Sequence, residues 1–252
     1  MLLAIGLVRV VSLPALPLEF AALGLLIRIE INSAFILIVL AAAVTVAGAD
    51  WLARSHPSAP QGRARLEPVI IPGLAALAAG ALLTNVEPGP GLWIGLGLAA
   101  GGLMAILVAE YDVIDPADPR REAASLGLTV LAQVLLTGVY FALFSLGVRA
   151  AFTAPLTFLA TSAVSWRLLR LRLPEAQPGL YAVAIGAAVA EIAWGLYYWP
   201  LAPVDPALLL GLLAYLAIQA VVAHLRGRLT GRRAVEFGVV AAVGLAAVVL
   251  LS

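Results

Sequence analysis

The sequence predicts an all-α, polytopic transmembrane helical bundle of about eight spanning helices, with an irregular or short β-hairpin N-terminal segment at the outer interface. Three observations carry that expectation. First, 63% of the 252 residues are apolar and 12% charged, with a mean hydropathy of +1.06, where soluble domains run near half and a quarter. Second, stretches of about 20 apolar residues, the length that crosses a hydrocarbon core of about 30 Å, recur between short turn-rich segments. Third, arginine is distributed unevenly between alternate loops. The same composition excludes other classes. With 15 basic residues against 14 acidic ones and no cysteine, disorder, nucleic-acid binding and a disulfide scaffold are not expected.

Residues 1–31 form an interfacial N-terminal segment in this reading, and residues 32–252 the eight-helix bundle. Met1–Val11 is apolar but contains Arg9, and Pro14, Pro17 and Glu19 break the apolar run after it. No basic leader precedes an apolar run, so a removed signal peptide is not expected. Ile27-Arg28-Ile29-Glu30-Ile31 alternates with period two, and Gly24 is placed to turn a hairpin between Leu18–Leu23 and Leu25–Ile31. The alternative is a ninth spanning helix that puts the N-terminus inside.

The spanning stretches are Asn32–Ala53, Pro68–Val86, Leu92–Glu110, Ala124–Val148, Phe152–Arg170, Pro178–Trp199, Pro206–His224 and Ala234–Leu251. Between them lie Glu87-Pro88-Gly89-Pro90-Gly91, Asp115-Pro116-Ala117-Asp118-Pro119, Leu173-Pro174-Glu175 and Ala202-Pro203-Val204-Asp205-Pro206, where proline and aspartate mark helix starts. Placing the loop after the first helix in the cytoplasm assigns Arg54, Arg63, Arg65, Arg120, Arg121, Arg167, Arg170, Arg172, Arg226, Arg228, Arg232 and Arg233 to that side. Only Arg9, Arg28 and Arg149 fall outside, the bias of a positive-inside plasma-membrane protein with both termini on the outer face. Trp51 and Trp166 then sit at cytoplasmic helix ends, and Trp93 and Trp199 at outer ends.

Small residues let helices approach closely in lipid. Gly97 with Gly101 on the third helix, and Ala182, Gly186 and Ala190 on the sixth, are expected to mark the bundle interior. Glu191 is the most informative polar residue. It lies about 12 Å below the outer end of the sixth helix, where a carboxyl facing lipid costs about 2.5–3.5 kcal/mol. It is expected to face protein, protonated and hydrogen-bonded to Tyr215 or Tyr140, with Trp194 and Tyr198 completing an outer-leaflet binding site. On the cytoplasmic side, Arg226, Arg228, Arg232 and Arg233 form a cluster expected to attract anionic lipid headgroups.

Other chemistry is weakly represented. Glu110, Asp112, Asp115, Asp118 and Glu122 are similar to the acidic metal–diphosphate motif of membrane prenyltransferases. Turn formation and N-capping of the fourth helix are the preferred account of Asp115 and Asp118. His56 precedes a proline, and Ala220-x-x-x-His224 has the spacing of a pigment- or haem-ligating helix, but boundary histidines are commonly interfacial and no cofactor is expected. Without cysteine there is no iron–sulfur cluster or thiolate nucleophile, and without lysine no retinal Schiff base.

Asp50-Trp51-Leu52-Ala53-Arg54-Ser55-His56-Pro57 and Glu191-Ile192-Ala193-Trp194-Gly195-Leu196-Tyr197-Tyr198-Trp199-Pro200 resemble stretches of an uncharacterised family of multi-pass membrane proteins from green non-sulfur bacteria. The resemblance implies a polytopic plasma-membrane protein and supplies no activity or catalytic residue. The leading functional expectation is a non-enzymatic subunit or scaffold that binds partner helices, self-associates or binds membrane lipid. A transporter or small-ligand binder built around Glu191 is the first alternative. A magnesium-dependent enzyme acting on lipid or prenyl diphosphate at the acidic loop is the second.

Overall fold

The computed structural model describes residues 16–22, 25–31, 33–58, 66–84, 86–87, 89–115, 117–147, 149–173, 177–228 and 231–251. Among the described residues two strands come first, β1 (Leu16–Ala22) and β2 (Leu25–Ile31). They pair antiparallel, with Leu16 opposite Ile31, Glu19 opposite Arg28 and Ala22 opposite Leu25. Leu23, Gly24 and the Met1–Val11 stretch lie outside the described residues. Among the described residues the strands are succeeded by eight helices: α1 (Ser33–Ser55), α2 (Glu67–Thr84), α3 (Pro90–Asp112), α4 (Arg121–Ser145), α5 (Ala150–Arg172), α6 (Gly179–Tyr197), α7 (Val204–Leu225) and α8 (Gly231–Leu251). Each coincides with one of the expected stretches to within a few residues. Five of them, α1 from Phe35 onward, α3, α4, α6 and α7, are long and apolar enough to cross a membrane. Shorter apolar runs occupy Glu67–Leu83 in α2 and Gly238–Ala247 in α8, while α5 carries Arg167, Arg170 and Arg172 near its end.

Local signals explain several helix ends. Pro90 opens α3, where its missing N–H has no intrahelical partner to lose. The Asp118 carboxylate accepts the Arg120 N–H at 2.7 Å just ahead of α4. α7 ends in a Schellman motif: Gly227 has φ 65°, its N–H bonds the His224 carbonyl, and the Arg228 N–H reaches back to the Ala223 carbonyl. That left-handed turn fixes the positions from which Arg226 and Arg228 project.

The chain divides into two compact units, Met1–Arg121 and Glu122–Ser252. In the first, α2 packs along α1 and α3. Glycines permit the approach: a Cβ at Gly80 would stand 3.0 Å from Ile38, and one at Gly95 would stand 2.8 Å from the Leu83 side chain. Gly97 and Gly101 do not mark this interior. Both are exposed, with open space where a Cβ would lie. On α3 the closely packed glycine is Gly95, two residues and therefore about 200° away from Gly97.

In the second unit α5 lies closest along α6, α7 packs on α6 and α5, and α8 packs on α7. Here Ala182, Gly186 and Ala190 are buried as expected. A Cβ at Gly186 would collide with the Ser162 hydroxyl and come within 2.9 Å of the Phe158 carbonyl, so α5 and α6 touch nearly backbone to backbone. The core around them combines Leu128, Leu136 and Tyr140 of α4, Val164, Leu168 and Leu169 of α5, and Leu210 and Ile218 of α7.

Candidate functional site

α5 is polar and yet deeply buried. Thr153, Thr157, Thr161 and Ser165 recur every fourth residue, on one face of a 3.6-residue helix, and all are at most 1% exposed. Sequence reasoning missed this seam, although its spacing is plain in the sequence. Tyr140, also fully buried, is bound there, its hydroxyl 2.6 Å from Thr161 Oγ1. Thr161 in turn donates to the Thr157 carbonyl at 2.6 Å. A hydroxyl carries a single proton, so Tyr140 is the donor in its pair. Two turns away on α4, Gln133 Nε2 donates to the Gly211 carbonyl of α7, and the Thr137 hydroxyl donates to the Gln133 carbonyl. In an apolar surround such bonds tie helices together.

These contacts correct the expected constellation around Glu191. Tyr140 is not its partner, because its proton is committed to Thr161. Glu191 itself is exposed, as are Trp194, Tyr198 and Tyr215. Among the described residues no hydrogen bond joins Glu191 to either tyrosine. The cause is helical geometry. α6 turns Ala182, Gly186, Ala190 and Ala193 toward α5, and Glu191, nine residues beyond Ala182, is rotated about 180° from it at 100° per residue. The outward face of α6 therefore carries Ala184, Ala187, Ala188, Glu191, Trp194, Gly195 and Tyr198.

Tyr215 belongs to a different feature. With Gln219, Val222, Ala223 and Arg226 it forms one stripe of α7, lining a cleft of about 330 Å³ that Arg228 and Glu236 complete. Arg172, at the end of α5, donates to Gln219 Oε1, and Arg226 Nη2 donates to the Arg172 carbonyl at 3.0 Å. Beside this cleft, sharing Glu236 with it, lies an almost wholly apolar recess of about 460 Å³ lined by Val235, Val239 and Val240. Arg232 and Arg233 stand in the first turn of α8; their side chains are outside the described residues.

The acidic loop is organised by its own backbone. Asp115 Oδ1 accepts the Ala117 N–H at 2.9 Å and Asp118 Oδ1 the Arg120 N–H, both turn-forming bonds. Glu110 is buried at the end of α3. Among the described residues no three histidine or acidic side chains converge on a point that would hold a metal ion. His56 accepts the Ser58 N–H at its Nδ1, with its ring 4.4 Å from that of Tyr111. His224 lies 6.4 Å, ring to ring, from Tyr181.

Five apolar helices long enough to cross a membrane define the class: a helical protein of membrane type. More particularly, the family model described as a protein of unknown function (DUF5656) matches residues 13–251, and the chain belongs to that family. No curated protein and no solved structure matches it.

Proposed function

We propose that the chain is a non-enzymatic integral protein of the bacterial plasma membrane, a subunit or scaffold that binds partner helices and lipid. In this reading all eight helices span, both termini lie on the outer side, and the β1–β2 ribbon rests at the outer interface. The arginine distribution supports that orientation. One observation carries the binding role. Glu191 is exposed on α6, a helix long and apolar enough to cross a membrane, and lipid is a costly surround for it. Ala187, Ala188 and Gly195 around it leave room for another backbone, and Trp194 and Tyr198 frame it. A partner helix that bonds to Glu191 removes the cost.

A transporter would need an open cavity at Glu191, and the cleft and the recess at α7 and α8 are lined by other residues. An enzyme at the acidic loop would need Asp115 and Asp118 released from the turns they cap. Purification in mild detergent tests the scaffold reading. The 26.0 kDa chain should travel in a larger particle, and Glu191→Leu should release the partner without unfolding the chain. A strictly monomeric particle without lipid or partner contradicts it.

A further inference from the structure

We propose that the cleft between α7 and α8 is a binding site for one anionic glycerophospholipid, phosphate at Arg226 and Arg228 and an acyl chain in the valine-lined recess. The inference rests on the reading that α7 and α8 both span the membrane, and it names the lipid that reading leaves general.

Three features converge. The polar chamber is cationic on balance, with Arg226 and Arg228 against Glu236, and Arg172 is fixed at its edge by Gln219. Its partner chamber is lined by Val235, Val239 and Val240, and Glu236 borders both. Both chambers are open, and Val235, Val239 and Val240 are 65%, 55% and 45% exposed, so an acyl chain can lie along them. Length supplies the third argument. From Arg226 to Tyr215 the α7 wall runs about 16 Å, and from Val235 to Val240 the α8 wall runs about 8 Å. One leaflet of hydrocarbon is about 15 Å deep. A free phosphate would use the arginines and leave the apolar chamber empty, whereas a lipid accounts for both. The arginines are pre-set rather than recruited, since the Gly227 turn and the Arg226–Arg172 bond fix Arg226. Guanidinium matches phosphate with paired donors.

The full-length protein, embedded in nanodiscs of phosphatidylcholine with phosphatidylglycerol as the minor component, is extracted into detergent and its retained lipid counted by native mass spectrometry. Wild type should retain phosphatidylglycerol in preference to phosphatidylcholine. Arg226→Gln should lower that retention about fivefold, the worth of one cation at a headgroup, and Arg226→Lys should restore most of it. Val239→Trp, which fills the recess, should lower it comparably, and Arg120→Gln should leave it unchanged. Equal losses in Arg226→Gln and Arg120→Gln would reduce the effect to a general surface field and overturn the site. Loss in Arg226→Gln with Val239→Trp unaffected would show that only the headgroup is held and the recess is unused, which also overturns the site. Carbonate extraction separates the two levels of failure: a chain released from the membrane refutes the spanning reading, and a retained chain without lipid preference refutes this site alone.

Discussion

A threonine hydroxyl has one proton to give, and at Thr161 it goes to the Thr157 carbonyl while Tyr140 donates in return. The two ends of that bond are therefore unequal. Tyr140→Phe removes a donor and leaves Thr161 with its other bond, so it should cost about 0.5–1.5 kcal/mol, the range of interhelical bonds in membranes. Thr161→Val strands the Tyr140 hydroxyl in the core and should cost more, about 1–3 kcal/mol. Unfolding curves in mixed micelles give the ordering, and a larger loss in the phenylalanine variant would show the donor assigned the wrong way. Glu191→Leu, by contrast, unpairs no tyrosine and should move monomer stability by less than about 0.5 kcal/mol. This rotation was legible in the sequence. Ala182, Gly186 and Ala190 cannot share an interior face with Glu191, because nine residues at 100° each end on the opposite side. What was not legible is the Tyr140–Thr161 pair, which joins two helices and depends on the rotation of both.

At the scale of elements, the small-residue signal read truly on α6 and misleadingly on α3. Gly186 has a neighbouring carbonyl within 2.9 Å of where a side chain would begin, and Gly97 has open space. A four-residue spacing of glycines states that close approach is permitted, and only the packed partner decides whether it happens. Gly186→Val should consequently destabilise the second unit by about 1–3 kcal/mol through overpacking, while Gly97→Val is silent in the same unfolding assay. A silent Gly186→Val would contradict the α5–α6 contact. Gly227 makes a separate case, because its φ of 65° disfavours a side chain. Gly227→Ala should cost about 1–2 kcal/mol, read as a lowered Tm. α5 was the least legible element. Its arginines dilute the apolar signal, although the Thr153-Thr157-Thr161-Ser165 period announces a buried face, since polar groups in an apolar solvent turn inward.

For the whole molecule, apolar run length and punctuating prolines and glycines were enough to place the eight described helices, five of them long and apolar enough to cross a membrane, because a sustained apolar run and a helix end are both written locally. Orientation rests on Arg65 and Arg172 sharing a side, and thiols introduced after each should react only with reagent that reaches the cytoplasm; the chain has no cysteine of its own to confuse the reading. Function was far less legible, since a binding surface is defined by what covers it. The claim at the centre is that the Glu191 face of α6 meets a partner helix inside the membrane. Gly195, one turn beyond Glu191 on that face and open at its Cβ position, is the place to test it. Gly195→Cys, carrying a thiol-attached benzophenone and illuminated in native membranes beside the exposed Leu208→Cys as control, should give a cross-linked product heavier than the single chain that the control lacks. A Gly195→Cys chain that stays at the monomer mass and is labelled freely by a lipid-phase thiol reagent would contradict the account.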